Sequence, residues 1–303
     1  MKLLQQLTAI HAPSGNETAM TEFLLKYIHE NSGSWKVAPQ LFFGDGFQNC
    51  IILVFGKPKT AVYAHIDSIG FTVRYKNELI KIGGPHLEPG IKLTGTDNIG
   101  NIECELMVDE DENLKCFFER EIERGTDLVF KSDFREEKDF IQSNYLDNRL
   151  GVWIALQLAK TLENGAIAFS CWEEHGGGSA GYLAKFLYEK FDVKQALISD
   201  ITWITEGVTY NKGVVVSMRD MGIPRRAYVD KIISILKEEK ILFQLEVERS
   251  GGSDGTELQK IPHPIDWCFI GAAEDFVHSP NEKVHKNDIA SMLEAYKVLL
   301  KRL

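Results

Sequence analysis

The chain has 303 residues, 44% hydrophobic and 26% charged, a balance that supports one large core and excludes bulk disorder. Its formal net charge of −10 argues against nucleic acid as a partner, because phosphate binding needs clustered Lys and Arg. Cys50, Cys104, Cys116, Cys171 and Cys268 are widely spaced and form no C-x-x-C pair, so neither a disulfide framework nor a zinc ribbon is suggested. Gln5 and Gln6 interrupt any signal-peptide core, and no run nears the roughly 18 apolar residues of a membrane span. The expectation is a cytoplasmic protein with reduced thiols and no membrane partner.

After Ser14 and Gly15, NETAMTEFLLKYIHEN carries apolar residues at helical spacing. NCIILVFG and TAVYAHIDSIGFTVRY then read as strands. Residues 71–141 change character: FTVRY, ELIKIGG, IKLTG, NIECELMV, KCFFE and DLVF are short alternating segments separated by turn residues, which predicts a small inserted all-β module. From Asp147 the pattern becomes α/β. DNRLGVWIALQLAKTL, GSAGYLAKFLYEKF, RRAYVDKIISILKEEK and HKNDIASMLEAYKVLLKRL read as helices, and AIAFSCW, QALISD, VVVSM, FQLEVE and DWCFIGA as strands. Strands alternating with helices predict a mixed, largely parallel sheet covered on both faces. The expected organisation is one α/β domain, residues 1–70 and 142–303, interrupted by the β insertion at 71–141.

In open α/β sheets, functional groups collect beyond the carboxyl ends of the strands. TAVYA is followed by His65 and Asp67, AIAFSCW by Glu173 and Glu174, and QALIS by Asp200. DWCFIGA leads to a loop with His278, and Asp147 stands just before a helix. Each feature alone is commonplace: a His-x-Asp, a solvated Glu pair, a capping aspartate. Their coincidence at successive strand ends points to imidazole and carboxylate ligands for divalent metal, zinc first, with cobalt or manganese as alternatives. A carboxylate left over would serve as base for a bound water. His11, His29, His86, His263 and His285 lack such context and read as surface or packing residues, and His175 reads as a loop residue. Arg219, Arg225 and Arg226 read as surface charges.

Several motifs run in one order over nearly the whole chain: APSGNE at 12–17, AHIDSIG at 64–70, IGG at 82–84, RGTDLVF at 124–130, LDNRLG at 146–151, WEEHG at 172–176, SDIT at 199–202, GGSDG at 251–255 and VHSPNE at 277–282. In them the chain resembles the tetrahedral (TET-type) dizinc aminopeptidases, a family with zinc-peptidase-like architecture. The resemblance implies two divalent metal ions per chain. His65, Asp147 and Asp200 would hold one; Asp147, Glu174 and His278 would hold the other, with Asp147 shared. It implies that Glu173 is the general base, that Asp67 orients His65, and that the insertion is a β-barrel-like dimerisation domain, in a family whose members often form hollow dodecamers. The implied activity is removal of N-terminal residues from short peptides by a homo-oligomer. A deacylase or carboxypeptidase on the same scaffold, or a scaffold with a decayed site, are the alternatives. A glycoside hydrolase is disfavoured, since it has no role for the histidines. The chain departs from the family pattern at Ser68, His175, Gly178–Ala180, Ser253–Gly255 and Asp275–Phe276, so the preferred N-terminal residue is not implied.

Overall fold

A computed structural model describes residues 1–303. Two sheets organise it. The larger has eleven strands, and its main path runs Gln40–Gly44, Gln48–Phe55, Gly165–Ser170, Thr60–His65, Gln195–Trp203, Asp266–Asp275, Glu282–His285, Phe140–Ser143 and Arg135–Glu136. Val214–Arg219 and Phe243–Val247 branch from Asp266–Asp275. The four central strands, from Gly165–Ser170 to Asp266–Asp275, are mutually parallel. Strands buried on both faces read as continuous apolar runs, and that is the pattern here: every residue of Thr60–His65 and of Gly165–Ser170 is buried. This is the mixed α/β fold expected from the alternation of elements.

Parallel strands point their carboxyl ends the same way, and the register makes those ends level. Ser170 pairs with His65, and Asp200 pairs with Gly271. Gln195–Ile198 run beside Thr60–Tyr63 in step, so Asp200 lies at the height of His65. Four chain segments distant in sequence therefore deliver polar residues to one edge.

The second sheet has six strands in the order Leu79–Ile82, Gly70–Val73, Asp127–Phe130, Lys92–Thr96, Asn101–Val108, Leu114–Phe117, all neighbours antiparallel. A bridge between Glu78 and Lys115 brings the last strand back towards the first, so the sheet is nearly closed. Alternation is clean along Asn101–Val108, where Ile102, Cys104 and Leu106 are buried between exposed neighbours. These residues join Phe71, Leu93, Leu128 and Phe130 in a core separate from that of the larger sheet. All five cysteines are free and buried, and no helix is long and apolar enough to cross a membrane.

The helix Leu146–Ala159 is the element that fixes the site relative to the sheet. It is almost wholly buried, and Asn148 Nδ2 donates to the Ser199 carbonyl at 2.8 Å, one residue before Asp200. Asn148 Oδ1 accepts from the Gly151 amide at 2.9 Å. A Cβ at Gly151 would fall inside contact distance of both the Ser199 carbonyl oxygen and Asn148 Oδ1, which explains the glycine in LDNRLG. Gly151→Ala is expected to destabilise the fold by about 1–3 kcal/mol through overpacking. A thermal melt checks this, and an unchanged midpoint would show that the helix has slack against the strand.

Several elements went unread in the sequence. Lys2–Thr8 and Asp254–Lys260 are seven-residue helices, under two turns each and too short for periodicity to register. Asp254–Lys260 does carry a capping box, with Ser253 as its cap. The edge strands Gln40–Gly44 and Arg135–Glu136 are half-exposed; the first is a short Leu41–Phe43 run with no polar alternation, and the second is two residues long.

Candidate active site

His65 is the last residue of its strand and is buried. Its Nε2 faces Asp147 Oδ1 at 3.1 Å, Asp200 Oδ2 at 3.6 Å and Glu173 Oε2 at 3.9 Å. The other oxygen of Asp147 turns to a second imidazole: Oδ2 lies 3.3 Å from His278 Nε2, which is itself 3.2 Å from Glu174 Oε2. One carboxylate thus faces two histidines, and each histidine faces a further carboxylate. Donor atoms of His65, Asp147 and Glu174 lie within 4.8 Å of one another.

Buried backbone and side-chain contacts fix these positions. Asp67 Oδ1 lies 3.4 Å from His65 Nδ1, on the far side of the ring from Asp147. Asp67 also accepts from Ser14 Oγ at 2.6 Å and from the amides of Glu173 at 3.2 Å and Glu174 at 3.1 Å. It therefore flanks the imidazole and anchors the Glu-Glu turn, and it gives the early APSG segment a place in the site. Arg149 is fully buried, with Nη1 donating to the carbonyl oxygens of Ile66 and Asp67. Glu282 is fully buried and joins two loops: Oε2 accepts from the Asp147 amide at 3.1 Å and Oε1 from the His278 amide at 3.0 Å. The second sheet contributes as well. His278 Nδ1 lies 3.1 Å from the Gly84 carbonyl oxygen, which leaves Nε2 free to face the carboxylates. His175 accepts from the Gly83 amide at 3.0 Å through Nδ1.

Without cations, this cluster is electrostatically crowded. Burial, reinforced by Asp200 and Glu174 and opposed by His65, raises the Glu173 carboxyl well above its usual range. Burial and Asp147 raise Asp200 in the same way, against the pull of His65. Burial alone would lower His278, but the Glu174 and Asp147 carboxylates outweigh it and push it up to about 12. Glu174 Oε1 is buried with no hydrogen-bond partner. Like charges packed this closely, with an orphaned carboxylate oxygen and two imidazole nitrogens turned inward, fit divalent cations bound through nitrogen and oxygen.

The cluster forms the floor of a cleft of about 240 Å³, whose walls include Trp203, Phe269, Asp220, Glu246 and Glu248. A larger recess of about 590 Å³ lies at the opposite end of the sheet, beside Thr60, and is lined by Lys57, Lys59, Lys301 and Arg302 with no histidine or aspartate. It offers no comparable chemistry.

The structure brings His65, Asp67, Asp147, Glu173, Glu174, Asp200 and His278 into one group. Sequence reasoning missed the supporting parts played by Ser14, Arg149 and Glu282. No periodicity marks them, since each acts on a partner distant in sequence: Ser14 on the Asp67 carboxylate, Arg149 on backbone carbonyls and Glu282 on backbone amides.

A mixed α/β sheet carrying a buried imidazole–carboxylate cluster at its carboxyl edge, with an antiparallel module beside it, is an arrangement suited to a hydrolase. The sequence model of the family described as M42 glutamyl aminopeptidase matches residues 80–294, and the chain belongs to that family. It is a peptide hydrolase. A relative from Acetivibrio thermocellus, itself named provisionally as an aminopeptidase, is 26% identical over 95% of this chain and 94% of its own. The TET1 peptidase of Pyrococcus horikoshii, described as assembling into a tetrahedron or a large octahedral shell, superposes with a TM-score of 0.84 at 21% identity, covering 99% of this chain and 98% of the other. An aminopeptidase of the archaeon Desulfurococcus kamchatkensis gives 0.87 at 19% identity, over 100% of this chain and 94% of the other. The solved structures establish the shared fold.

Proposed function

We propose that this chain is a metal-dependent aminopeptidase that removes N-terminal residues from short peptides, with Glu173 as its general base. The observation that carries the reading is the division of Asp147, whose two oxygens face two different histidines, each with its own second carboxylate. His65, Asp147 and Asp200 would hold one divalent cation, and Asp147, Glu174 and His278 the other. When bound, such a pair polarises the scissile carbonyl and acidifies a water.

The remaining steps belong to the side chains. Glu173 lies beside the ligands without being needed as one, and Oε2 faces into the same space. It accepts a proton from the water as oxygen bonds to the carbonyl carbon. It then gives that proton to the leaving amine nitrogen as the C–N bond breaks. Bound cations would offset the repulsion between adjacent Glu173 and Glu174 and let both stay ionised. Asp67 holds the amides of both, which keeps the base and the ligand in fixed relation.

The second sheet is read as a dimerisation domain spanning residues 71–141, and the chain as a homo-oligomer. Ile80, Met107 and Phe117 are large apolar residues exposed on this sheet, Phe117 at 72%, and the Pyrococcus horikoshii relative assembles into closed shells. Sedimentation is expected to give a multiple of the chain mass and Phe117→Asp a smaller species; a wild-type mass equal to one chain would refute the reading.

Paired substrates test the activity: an aminoacyl anilide with a free α-amine, and the same compound N-acetylated. Hydrolysis of the free amine alone is expected. Cleavage of the acetylated compound alone would replace the aminopeptidase reading with a deacylase.

A further inference from the structure

We propose that the arm of the cleft formed by Asp220, Glu246 and Glu248 receives the basic side chain of a substrate's N-terminal Lys or Arg, so that the enzyme prefers peptides beginning with those residues. The inference rests on the aminopeptidase reading and adds a substrate class to it.

The strand Gln195–Trp203 supplies the measure. Asp200 and Thr202 lie on the same face of it, two residues and roughly 6.6 Å apart. Thr202 Oγ1 donates to Glu246 Oε1. Glu246 is thereby placed beyond the metal-site edge by about the reach of an extended lysine side chain. Between them the cleft has apolar walls in Trp203, Ile201 and Phe269. Apolar walls ending in carboxylates suit a side chain that buries a methylene stem and carries its charge at the tip.

Glu246 and Asp220 are no ordinary acidic rim. They are only 6% and 7% exposed, and neither forms an ion pair. Asp220 is satisfied by the Gly222 amide and by Ser253 Oγ, the latter at 3.0 Å. Glu246 has Thr202 on Oε1 and the Ser217 hydroxyl close by, no cation beside it, and it lines the cleft. A buried carboxylate held by neutral hydroxyls alone is costly unless a cation meets it. Burial foremost raises both carboxyls, the hydrogen bonds from Thr202 and Ser217 to Glu246 and from the Gly222 amide and Ser253 to Asp220 only partly offsetting it. Both would gain from a cationic guest.

No Lys or Arg lines the cleft. Arg219 Nε donates to the Asp220 backbone carbonyl at 3.2 Å, while Arg225 is paired with Asp266 and Arg226 with Asp230. A glutamyl side chain entering this arm would meet the carboxylates of Asp220, Glu246 and Glu248 along its lining, with the Arg219 charge already acting on Asp220.

The test measures kcat/KM for Lys-, Arg-, Leu- and Glu-anilides with the metal-loaded enzyme, its Glu246→Gln variant, and Glu248→Gln at a half-exposed position where folding is not at stake. The wild type is expected to favour Lys and Arg over Leu and Glu. Glu246→Gln keeps the shape and the Thr202 contact and is expected to cost the basic substrates roughly 10–100-fold while sparing Leu. Glu248→Gln is expected to shift the ratio the same way by less. Equal or better cleavage of Leu or Glu by the wild type would overturn the preference and leave the aminopeptidase reading standing. Equal loss on all four substrates in Glu246→Gln would overturn it too, showing that the arm holds the α-ammonium group instead. Silence of the wild type on every free amine would overturn the activity itself, and the preference with it.

Discussion

Glu173→Gln is expected to abolish turnover while leaving bound metal unchanged. The amide retains the size of the carboxylate but cannot accept a proton, and positioned general bases contribute roughly 10²–10⁴-fold to rate. Glu173 is not among the groups that face His278, and its nearest approach to His65 is 3.9 Å, so the proposed cations would have ligands without it. The substitution also removes one charge from a crowded buried cluster, in which burial, Asp200 and Glu174 hold this carboxyl well above its usual range. The metal-free variant should therefore melt no lower than the wild type. Anilide hydrolysis and elemental analysis on one preparation check both halves. A variant with most of its activity would remove Glu173 from the mechanism, and one with activity and metal lost together would make it a ligand.

Asp147→Asn is expected to fail differently, losing metal and activity together. Its Oδ1 faces His65 and its Oδ2 faces His278, so replacing one oxygen by an amide nitrogen leaves one histidine without its shared partner. Losing an outer partner of a ligand costs roughly 10–100-fold in metal affinity or activity; losing a shared donor should exceed that. Equilibrium dialysis against zinc is the measurement. The backbone should survive, because the Asp147 amide remains clamped by Glu282 and the helix remains tied to the strand through Asn148. Wild-type zinc content in the folded variant would show that Asp147 is a helix-start aspartate and no more.

The contrast between these two residues shows what the sequence could and could not express. His65, Glu173, Glu174 and Asp200 were legible because each follows an apolar run, and parallel strands in register bring such run-ends level. Asp147 was legible only in part: it stands in the first turn of its helix, but the N-cap is Tyr145, and the Asp147–Asn148 peptide is cis, which no local pattern announces. Glu282 was invisible as a clamp because its work is done on two backbone amides brought together by folding. Ser14 and Arg149 were invisible because their partners, the Asp67 carboxylate and the Ile66 and Asp67 carbonyls, are also brought to them only by folding. The acidic arm of the cleft is drawn from Thr202, Asp220, Glu246 and Glu248 on three separate segments, and only the branching of Val214–Arg219 and Phe243–Val247 from the main sheet assembles it.

The second sheet presents a related case. Its alternation was clear, and its separate core follows from it. That Gly83 and Gly84 reach back to His175 and His278 was not foreseeable from spacing. Gly83 sits at φ +68°, and a Cβ there would approach the Glu174 carbonyl oxygen to 2.9 Å. The IGG motif, with the His86 amide that donates to the His278 carbonyl oxygen, is where this segment touches the site.

The most direct test of metal-dependent catalysis is a titration of zinc into chelator-treated protein, followed by hydrolysis of a free-amine aminoacyl anilide. The predicted result is no activity at the start and a rise that levels off at about two equivalents per chain. Full hydrolysis in the continued presence of excess chelator would contradict the account.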